Sequence, residues 1–272
     1  MIMSNFLRNR KSVREFKKKQ VDKESLGIIK SNLNSILQEN DLKGIKFNLY
    51  EDGDLIFENL EGKGGYAGVM IKAPHYIGLE ISDYREENLV YGAYFMEKII
   101  SDLNNIGLGT CWITITEDLK ASELEALGYW SDRLEYMLAF GYEKLRNPFQ
   151  IEQFSERISV EEIVYDGKIG RPVKIDDLET RGLMDIFYYI RFAPSNKNLQ
   201  PWRFLLGENK VDLLLTYDKW DDSLLVDTGI IMYYFDNLAK TQGLNNKWVL
   251  NNKEEEIDLD GKKYRYIGEF KL

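Results

Sequence analysis

Residues 191–204, RFAPSNKNLQPWRF, are the stretch that decides how this sequence is interpreted. They connect a segment of helical periodicity, residues 177–192, to the strand-like segment Trp202–Leu206. Pro194 and Pro201 stand where a regular element has to stop. The residues between them include four hydrogen-bonding side chains: Ser195, Asn196, Asn198 and Gln200. Such a loop suits a planar polar ligand, although an ordinary helix-to-strand connection has a similar composition.

The segment APSNKNLQPWRF resembles a motif of the nitroreductase family of flavin enzymes, in which A-P-S-x-x-N-x-Q-P-W precedes a strand. In that family the loop contacts the isoalloxazine ring and the ribityl chain of FMN. The resemblance therefore implies that four residues of this loop lie against the flavin: Pro194, Ser195, Asn198 and Gln200. Two prolines in register make this signal more specific than a lone glycine pattern.

The composition narrows the class of protein. A chain of 272 residues that is 44% hydrophobic can form a substantial core, as one large domain or two ordinary ones. Its formal net charge of -9 argues against nucleic acid as the main partner. With one cysteine, Cys111, an internal disulfide is excluded, and with one histidine, His75, a structural zinc site is not expected.

No segment has the length and apolar character of a signal peptide or a membrane span. We therefore expect a soluble, cytoplasmic protein that does not associate with membranes.

A basic cluster lies near the N-terminus, in residues 8–16, RNRKSVREF. Charge clusters are commonly solvated surface, but this one contains a serine and apolar anchors, and guanidinium groups bind phosphate well. The segment resembles the R-R-S-x-R-x-F start of nitroreductases, with a lysine replacing the second arginine. The resemblance implies that the FMN phosphate and ribityl oxygens contact Arg10, Lys11, Ser12 and Arg14.

A long helix is predicted over residues 86–106, and it ends in Gly-Leu before the strand-like GTCWIT. The segment GLGTCWI is similar to a nitroreductase segment that presents backbone amides and an apolar wall to the flavin. This similarity implies roles for Gly109, Thr110, Trp112, Ile113 and Thr114. Some members carry Glu-Gly where this chain has Thr114 and Ile115.

Arg157 precedes ISVEEIV, which resembles the closing P-L-E-E-V-V segment of the family. In the family an arginine at this place returns to the FMN phosphate, so the resemblance assigns that role to Arg157. The signature ends near Gly170, but the chain continues for a further hundred residues or so.

The remaining elements follow from hydrophobic periodicity. A helix capped by Asp22 is predicted over residues 22–38, and the glycine-rich residues 61–68 are predicted as a mobile turn. His75 is predicted to be structural, because no carboxylate or cysteine partner lies at a recognisable spacing. Strands are predicted over residues 45–50, 73–81, 134–141 and 262–272.

The second part of the sequence repeats features of the first. Residues 175–192 resemble the helix at 22–38, and residues 227–244 echo residues 91–108, each ending in Gly-Leu before a tryptophan-containing strand, CWIT or KWVL. We infer an internally duplicated pseudo-dimer with halves 1–166 and 167–272, meeting at about residues 167–176. The first half carries the basic arm and the second carries the A-P-S loop, so one complete FMN site and a monomeric chain are expected.

The predicted fold is therefore α+β, a mostly antiparallel sheet flanked by helices. The predicted function is an FMN-dependent oxidoreductase that passes electrons from NADH or NADPH to a nitroaromatic, a quinone or a similar small planar acceptor. The cofactor carries this chemistry, so no catalytic side chain and no metal are required. The alternatives are a non-catalytic FMN-binding protein, such as a sensor or a degenerate nitroreductase, and an interaction module without flavin.

Overall fold

A computed structural model of the chain describes residues 2–115, 119, 127–128, 134–144, 155–251 and 255–272. These residues belong to two compact units. The N-terminal unit is Lys11–Glu152, and the C-terminal unit is Gln153–Leu272 together with Met1–Arg10. Each unit contains one sheet and several helices, and the predicted α+β class is confirmed.

The described helices are α1 (Met3–Asn9), α2 (Lys23–Glu39), α3 (Gly53–Leu60), α4 (Glu86–Asn105), α5 (Val160–Ile163), α6 (Ile175–Thr180), α7 (Met184–Ile190) and α8 (Ser223–Thr241). The described strands are β1 (Ile45–Tyr50), β2 (Gly64–Gly65), β3 (His75–Ile81), β4 (Gly109–Ile115), β5 (Leu134–Gly141), β6 (Val164–Asp166), β7 (Trp202–Leu206), β8 (Lys210–Tyr217), β9 (Val249–Leu250), β10 (Glu256–Leu259) and β11 (Lys262–Lys271).

The sheet of the N-terminal unit has the strand order β1-β3-β5-β4-β2, with antiparallel pairing throughout. Its strand β3 is covered on both faces, since every residue of β3 is buried. Ile113 of β4 lies opposite Met137 of β5, and neither side chain is exposed. These residues belong to a core cluster that also contains Ile56 of α3 and Tyr76 of β3.

Helix α2 begins as its sequence predicts. The Asp22 carboxylate accepts a hydrogen bond from the Ser25 amide at 2.8 Å, which satisfies one of the free amides of the first turn. The apolar positions of α2 then fall on one buried face: Leu26, Ile29, Leu33 and Ile36.

The sheet of the C-terminal unit has the order β10-β11-β8-β7-β6, and β9 pairs with β11. Only the β6–β7 pair among the described strands is parallel, so the prediction of mostly antiparallel pairing is confirmed. Helix α8 packs on α7 and on β7, where Phe204 and Phe235 stack at a centroid distance of 5.7 Å. Helix α1 packs on α7 and α8, with Phe6 against Tyr234.

The helix predicted over residues 175–192 is wrong in one respect, because it is two helices. Helix α6 ends before Gly182, which adopts φ +67°, and α7 starts at Met184. The Leu183 amide bonds to the Leu178 carbonyl at 2.8 Å, which closes the helix in a Schellman motif. The break follows from the left-handed conformation that glycine adopts without steric cost.

The glycine-rich passage 61–68 contains an edge strand of the sheet and not only a turn. Gly64 and Gly65 form β2, which pairs with Ile115 and Thr114 of β4. A Cβ atom on Gly65 would lie 2.3 Å from the carbonyl group of Val69, so this close backbone approach requires glycine.

The second long helix and the strand after it also differ from prediction. Helix α8 begins at Ser223, four residues before the echoed segment at 227. The strand expected around KWVL contains only Val249 and Leu250, whereas the corresponding β4 has seven residues. The predicted halves 1–166 and 167–272 are defined by repeated sequence features, whereas the two compact units are defined by spatial contacts. The division into these halves stays a prediction.

Candidate functional site

The predicted site residues divide between the two units. We call the first set the loop group; it lies in the C-terminal unit and consists of Arg10, Arg157, Pro194, Ser195, Asn198 and Gln200. The second set lies in the N-terminal unit and consists of Lys11, Ser12, Arg14, Gly109, Thr110, Trp112, Ile113 and Thr114. The residues of this second set on β4 are called the strand group below.

The loop that carries the A-P-S motif has an unusual backbone. Three residues that are not glycine adopt positive φ angles: Lys197 at 49°, Asn198 at 58° and Gln200 at 49°. Asparagine tolerates this region, but lysine and glutamine do so at a cost of roughly 1–3 kcal/mol each. Ser195 offsets part of this cost, because its hydroxyl oxygen accepts a hydrogen bond from the Gln200 amide at 2.9 Å. A conformation of this kind persists only where surrounding contacts hold it.

Two amide side chains of the loop hold the segment that contains Arg157. The Arg157 guanidinium donates to the Asn198 side-chain oxygen at 2.8 Å and to the Ala193 carbonyl at 3.1 Å. Asn198 also donates to the Glu156 carbonyl at 3.0 Å. Gln200 is buried; its side-chain oxygen accepts from the Ile158 amide at 3.1 Å, and its nitrogen donates to the Glu156 carbonyl at 3.2 Å. Hydrogen bonds at Ala193, near the start of the motif, and at Asn198 and Gln200, near its end, therefore join the loop to residues 156–158.

The Arg157 guanidinium has no carboxylate partner among the residues that the structure describes. Its hydrogen-bond acceptors are neutral oxygens, and within the described ranges no carboxylate forms an ion pair with it. Burial lowers the pKa of Arg157, and the nearby positive charge of Arg10 lowers it further. The group nevertheless stays protonated, because arginine titrates far above neutral pH. Two cations that act on one another in this way are complementary to an anion.

The other side of the loop is fixed to helix α8. The Asn196 main-chain amide donates to the Asp227 carboxyl oxygen Oδ1 at 2.9 Å, and the Asn196 side chain donates to the Ser223 hydroxyl at 3.0 Å. Asp227 is buried, and its second oxygen, Oδ2, has no hydrogen-bond partner among the described residues. Burial raises the pKa of Asp227 from 3.8 to about 8, and the Asp221 carboxylate acts in the same direction.

Sequence reasoning did not identify Asp227 as a site residue. The signal was present, since Asp227 opens the DTGI segment that begins the internal echo. Its partner is a main-chain amide, however, and no sequence pattern shows which amide a carboxyl group will reach.

Two residues of the strand group, Gly109 and Thr110, pack against neighbouring segments of their own unit. The Val13 amide donates to the Thr110 carbonyl at 2.8 Å, and the Val13 side chain lies where a Cβ atom on Gly109 would meet it at 2.6 Å. The buried Thr110 hydroxyl accepts from the Asn104 side chain at 3.3 Å. Gly109 is therefore required for the N-terminal segment to pack on β4.

Farther along β4 the side chains have different surroundings. The Trp112 indole nitrogen donates to the buried Glu97 carboxylate at 2.7 Å, a partner that the sequence did not reveal. Ile113 is fully buried in the core cluster. Thr114 is exposed and pairs with Gly65 through the backbone ladder.

The residues of the predicted basic arm are divided between the two units. Arg10 ends α1 in the C-terminal unit, whereas Lys11 forms an ion pair with Glu143 at 2.8 Å in the N-terminal unit. Ser12 is half-buried, and the Arg14 guanidinium lies 4.2 Å from the centre of the Tyr66 ring.

The single histidine has the structural role that was predicted. His75 Nε2 accepts from the Val21 amide at 3.0 Å, and Nδ1 is 2.9 Å from the Glu51 carbonyl, so both ring nitrogens have backbone partners. Burial lowers the pKa of this imidazole, which favours its neutral form.

The described residues contain neither a metal-binding cluster nor a membrane-spanning helix. Within these ranges no three acidic, histidine or cysteine side chains are grouped so that they can hold a metal ion. No helix in the described part of the chain has the length and apolar character needed to cross a membrane.

Comparison with known proteins gives a family and a fold. A family model described as "Putative TM nitroreductase" matches residues 3–239. Among solved structures, a putative nitroreductase from Thermotoga maritima is similar with a TM-score of 0.60 and 18% identity, covering 98% of this chain and 94% of that chain. This likeness shows a nitroreductase-like fold.

Two further structures match more weakly. An FMN-dependent nitroreductase from Clostridium difficile is 24% identical over 52% of this chain and 88% of that chain, with a TM-score of 0.43. Nitroreductase A from Vibrio parahaemolyticus is 16% identical over 69% of this chain and 86% of that chain, with a TM-score of 0.47. The search among curated proteins gives no match.

Proposed function

The chain belongs to the putative TM nitroreductase family, and from this membership and the loop group we propose that it is an FMN-dependent oxidoreductase. Nitroreductases are oxidoreductases that act on small molecules. The electron donor that we propose is NADH or NADPH, and the proposed acceptor is a nitroaromatic, a quinone or a similar planar compound.

One observation carries the proposal of a phosphate-bearing flavin. Arg157 is half-buried, is acted on by the charge of Arg10, and is bonded only to neutral oxygens among the described residues. A phosphate monoester supplies close to two negative charges and several acceptor oxygens at neutral pH. FMN ends in such a group, so the two arginines fit the end of the cofactor that distinguishes it from riboflavin.

The chain has separate tasks in this proposal. Arg10 and Arg157 bind the phosphate, while Asn198 and Gln200 hold the Arg157 segment in place through the hydrogen bonds described above. Bound FMN would supply the redox chemistry between the reduced nicotinamide and the acceptor. The protein then needs to bind and orient its ligands, and no side chain has to serve as acid, base or nucleophile.

The other predicted flavin contacts rest on the sequence motifs alone. They are those of Pro194, Ser195, Asn198 and Gln200 and of the second set: Lys11, Ser12, Arg14, Gly109, Thr110, Trp112, Ile113 and Thr114. They stay predictions.

FMN titration of Arg157→Ala tests the proposal. Removing a hydrogen bond to a charged group costs about 1.5–3 kcal/mol, so the dissociation constant should rise roughly ten- to a hundred-fold. Arg171→Ala is the matched control, because Arg171 is an exposed arginine of the same unit that pairs with Asp166. Equal FMN affinities in the two variants, both folded by circular dichroism, would contradict the assignment of Arg157.

Activity is tested on the wild-type chain loaded with FMN. We expect NADH or NADPH oxidation that depends on an added quinone or nitroaromatic compound. Tight FMN binding without such oxidation would favour the non-catalytic alternative.

A further inference from the structure

The A-P-S loop is held from two sides. On one side, Asn198 and Gln200 are bonded to residues 156–158, and on the other, Asn196 is bonded to Asp227 and Ser223 of helix α8. Asp227 and Ser223 are four residues apart, so their side chains share one face of α8. The helix face therefore provides a fixed base for a loop whose backbone is strained at three positions.

A continuous path of contacts runs from this base to the anion site. The Asp227 carboxyl group accepts a hydrogen bond from the Asn196 amide. Asn198 follows two residues later, and its side-chain oxygen accepts a hydrogen bond from Arg157. Because Lys197 and Asn198 are held in left-handed backbone conformations, the loop should relax toward ordinary helical or extended angles if Asn196 is released. Release of Asn196 would therefore change where the Asn198 oxygen points.

We propose that Asp227 is a positioning residue for the anion site: its buried carboxyl group holds the loop at Asn196, and the loop in turn aims the Arg157 guanidinium. This inference rests on the proposed FMN function for its ligand, but the contacts that carry it belong to the protein alone.

The surroundings of Asp227 decide its ionisation state. The loop offers it one amide, that of Asn196, and among the described residues no lysine or arginine pairs with it. The charged group that acts on it is the Asp221 carboxylate, which disfavours a second negative charge. Burial with a single donor raises the pKa of Asp227 to about 8, so the carboxyl group is neutral at pH 6 and below.

The stability that Asp227 contributes to the folded state should therefore depend on pH. The pKa is raised in the folded state, so the stabilisation from the neutral carboxyl is complete below pH 3.8 and is lost as pH rises from 3.8 to about 8. An ionised Asp227 is better solvated when the loop is open. Release of the loop should therefore become more frequent as pH rises through the neutral range.

The experiment compares Asp227→Ala, Asp227→Asn and the control Thr228→Val in the full chain. Thr228 is a buried neighbour on the same helix whose hydroxyl donates within the helix, to the Leu224 carbonyl. Two quantities are measured from pH 6 to pH 9: protection of the Asn196 amide from hydrogen exchange, relative to an unstructured peptide, and the FMN dissociation constant.

We expect Asp227→Ala to lower Asn196 protection and FMN affinity by about tenfold each, the effect of losing one hydrogen bond. Thr228→Val should leave both quantities within about twofold of the wild type, since the hydroxyl that it removes bonds within the helix. Asp227→Asn keeps an acceptor oxygen and cannot ionise. Its Asn196 protection should therefore stay constant while that of the wild type falls between pH 6 and pH 9.

Equal Asn196 protection in Asp227→Ala and Thr228→Val would overturn the proposal. If Asp227→Ala does not fold, the pH comparison decides, and parallel protection curves for the wild type and Asp227→Asn would overturn it. Failure of the proposed function gives a different result, namely a wild-type chain that binds no FMN although Asn196 protection depends on Asp227.

Discussion

The loop group and the strand group both lie in segments that resemble family motifs, but their residues make different kinds of contact. In the loop group, polar side chains bond to one another around a cation that no described carboxylate balances. In the strand group, Gly109, Thr110 and Ile113 are buried, and they pack against neighbouring segments of their own unit. A match to a motif therefore does not by itself show which kind of contact a residue makes within the fold.

The polar contacts of the two groups show the same contrast. Trp112 donates to Glu97, so the indole of the strand group satisfies a buried carboxylate inside the protein. Arg157 donates to two neutral oxygens, which leaves its positive charge available to a ligand. Substitutions in the strand group should therefore change stability, and substitutions in the loop group should change affinity for an anion.

The largest effect is expected from Ile113→Ala. Its side chain is fully buried in the core cluster, and truncating a buried isoleucine typically costs about 2–5 kcal/mol of unfolding free energy. Urea denaturation measures this cost. Leu199→Ala is the control, because Leu199 is an apolar residue of the A-P-S loop that is 60% exposed, and it should cost less than about 0.5 kcal/mol. A similar small cost for both variants would show that Ile113 does not support the core.

A smaller effect with the opposite signature is expected from Asn198→Asp. The new carboxylate would give Arg157 a negative partner, which it lacks among the described residues, and would repel a phosphate. FMN affinity should fall by roughly ten- to a hundred-fold, about 1.5–3 kcal/mol, without a comparable loss of unfolding free energy.

The control is Asn209→Asp, which makes the same charge change at an exposed position of the same unit, outside the loop. The Asn209 main-chain carbonyl accepts from the Leu272 amide, a bond that this side-chain change leaves in place. Equal losses of FMN affinity in the two variants would indicate a general charge effect and would contradict a specific role for the Asn198–Arg157 pair.

Local chemistry could be predicted from the sequence. The Asp22 cap, strands β1, β5, β7 and β11 and the α+β class follow from periodicity and turn residues, and the structure confirms them. The Gly-Leu helix closures are similar in both long helices. The Leu108 amide bonds to the Leu103 carbonyl, and the Leu244 amide bonds to the Ala239 carbonyl, each at 3.0 Å.

The helix break at Gly182 was not predicted, although it has the same sequence signal as the ends of the two long helices. The sequence RGL at residues 181–183 contains the Gly-Leu pair that closes the two long helices, but the apolar periodicity on both sides hid it. Periodicity records which residues face the core, and it continues across a break when both short helices bury the same side.

Partners that are distant in the sequence could not be predicted. Strand β9 pairs with β11 through Val249 and Leu250, and Asp227 bonds to a loop amide 31 residues before it. The sequence indicated Arg157 as a phosphate ligand, but its bond to Asn198 joins residues that are 41 positions apart. Such contacts are set by tertiary packing, which local propensity does not encode.

Paired titrations with FMN and riboflavin test the central claim, that Arg157 and Arg10 form an anion site for a phosphate-bearing flavin. The two ligands differ only in the phosphate, so any difference in affinity reports on its binding. The wild type should bind FMN at least about tenfold more tightly than riboflavin, and Arg157→Ala should narrow this ratio while Arg171→Ala leaves it unchanged. Equal affinities for FMN and riboflavin in the wild type, or a ratio that Arg157→Ala does not alter, would contradict the account.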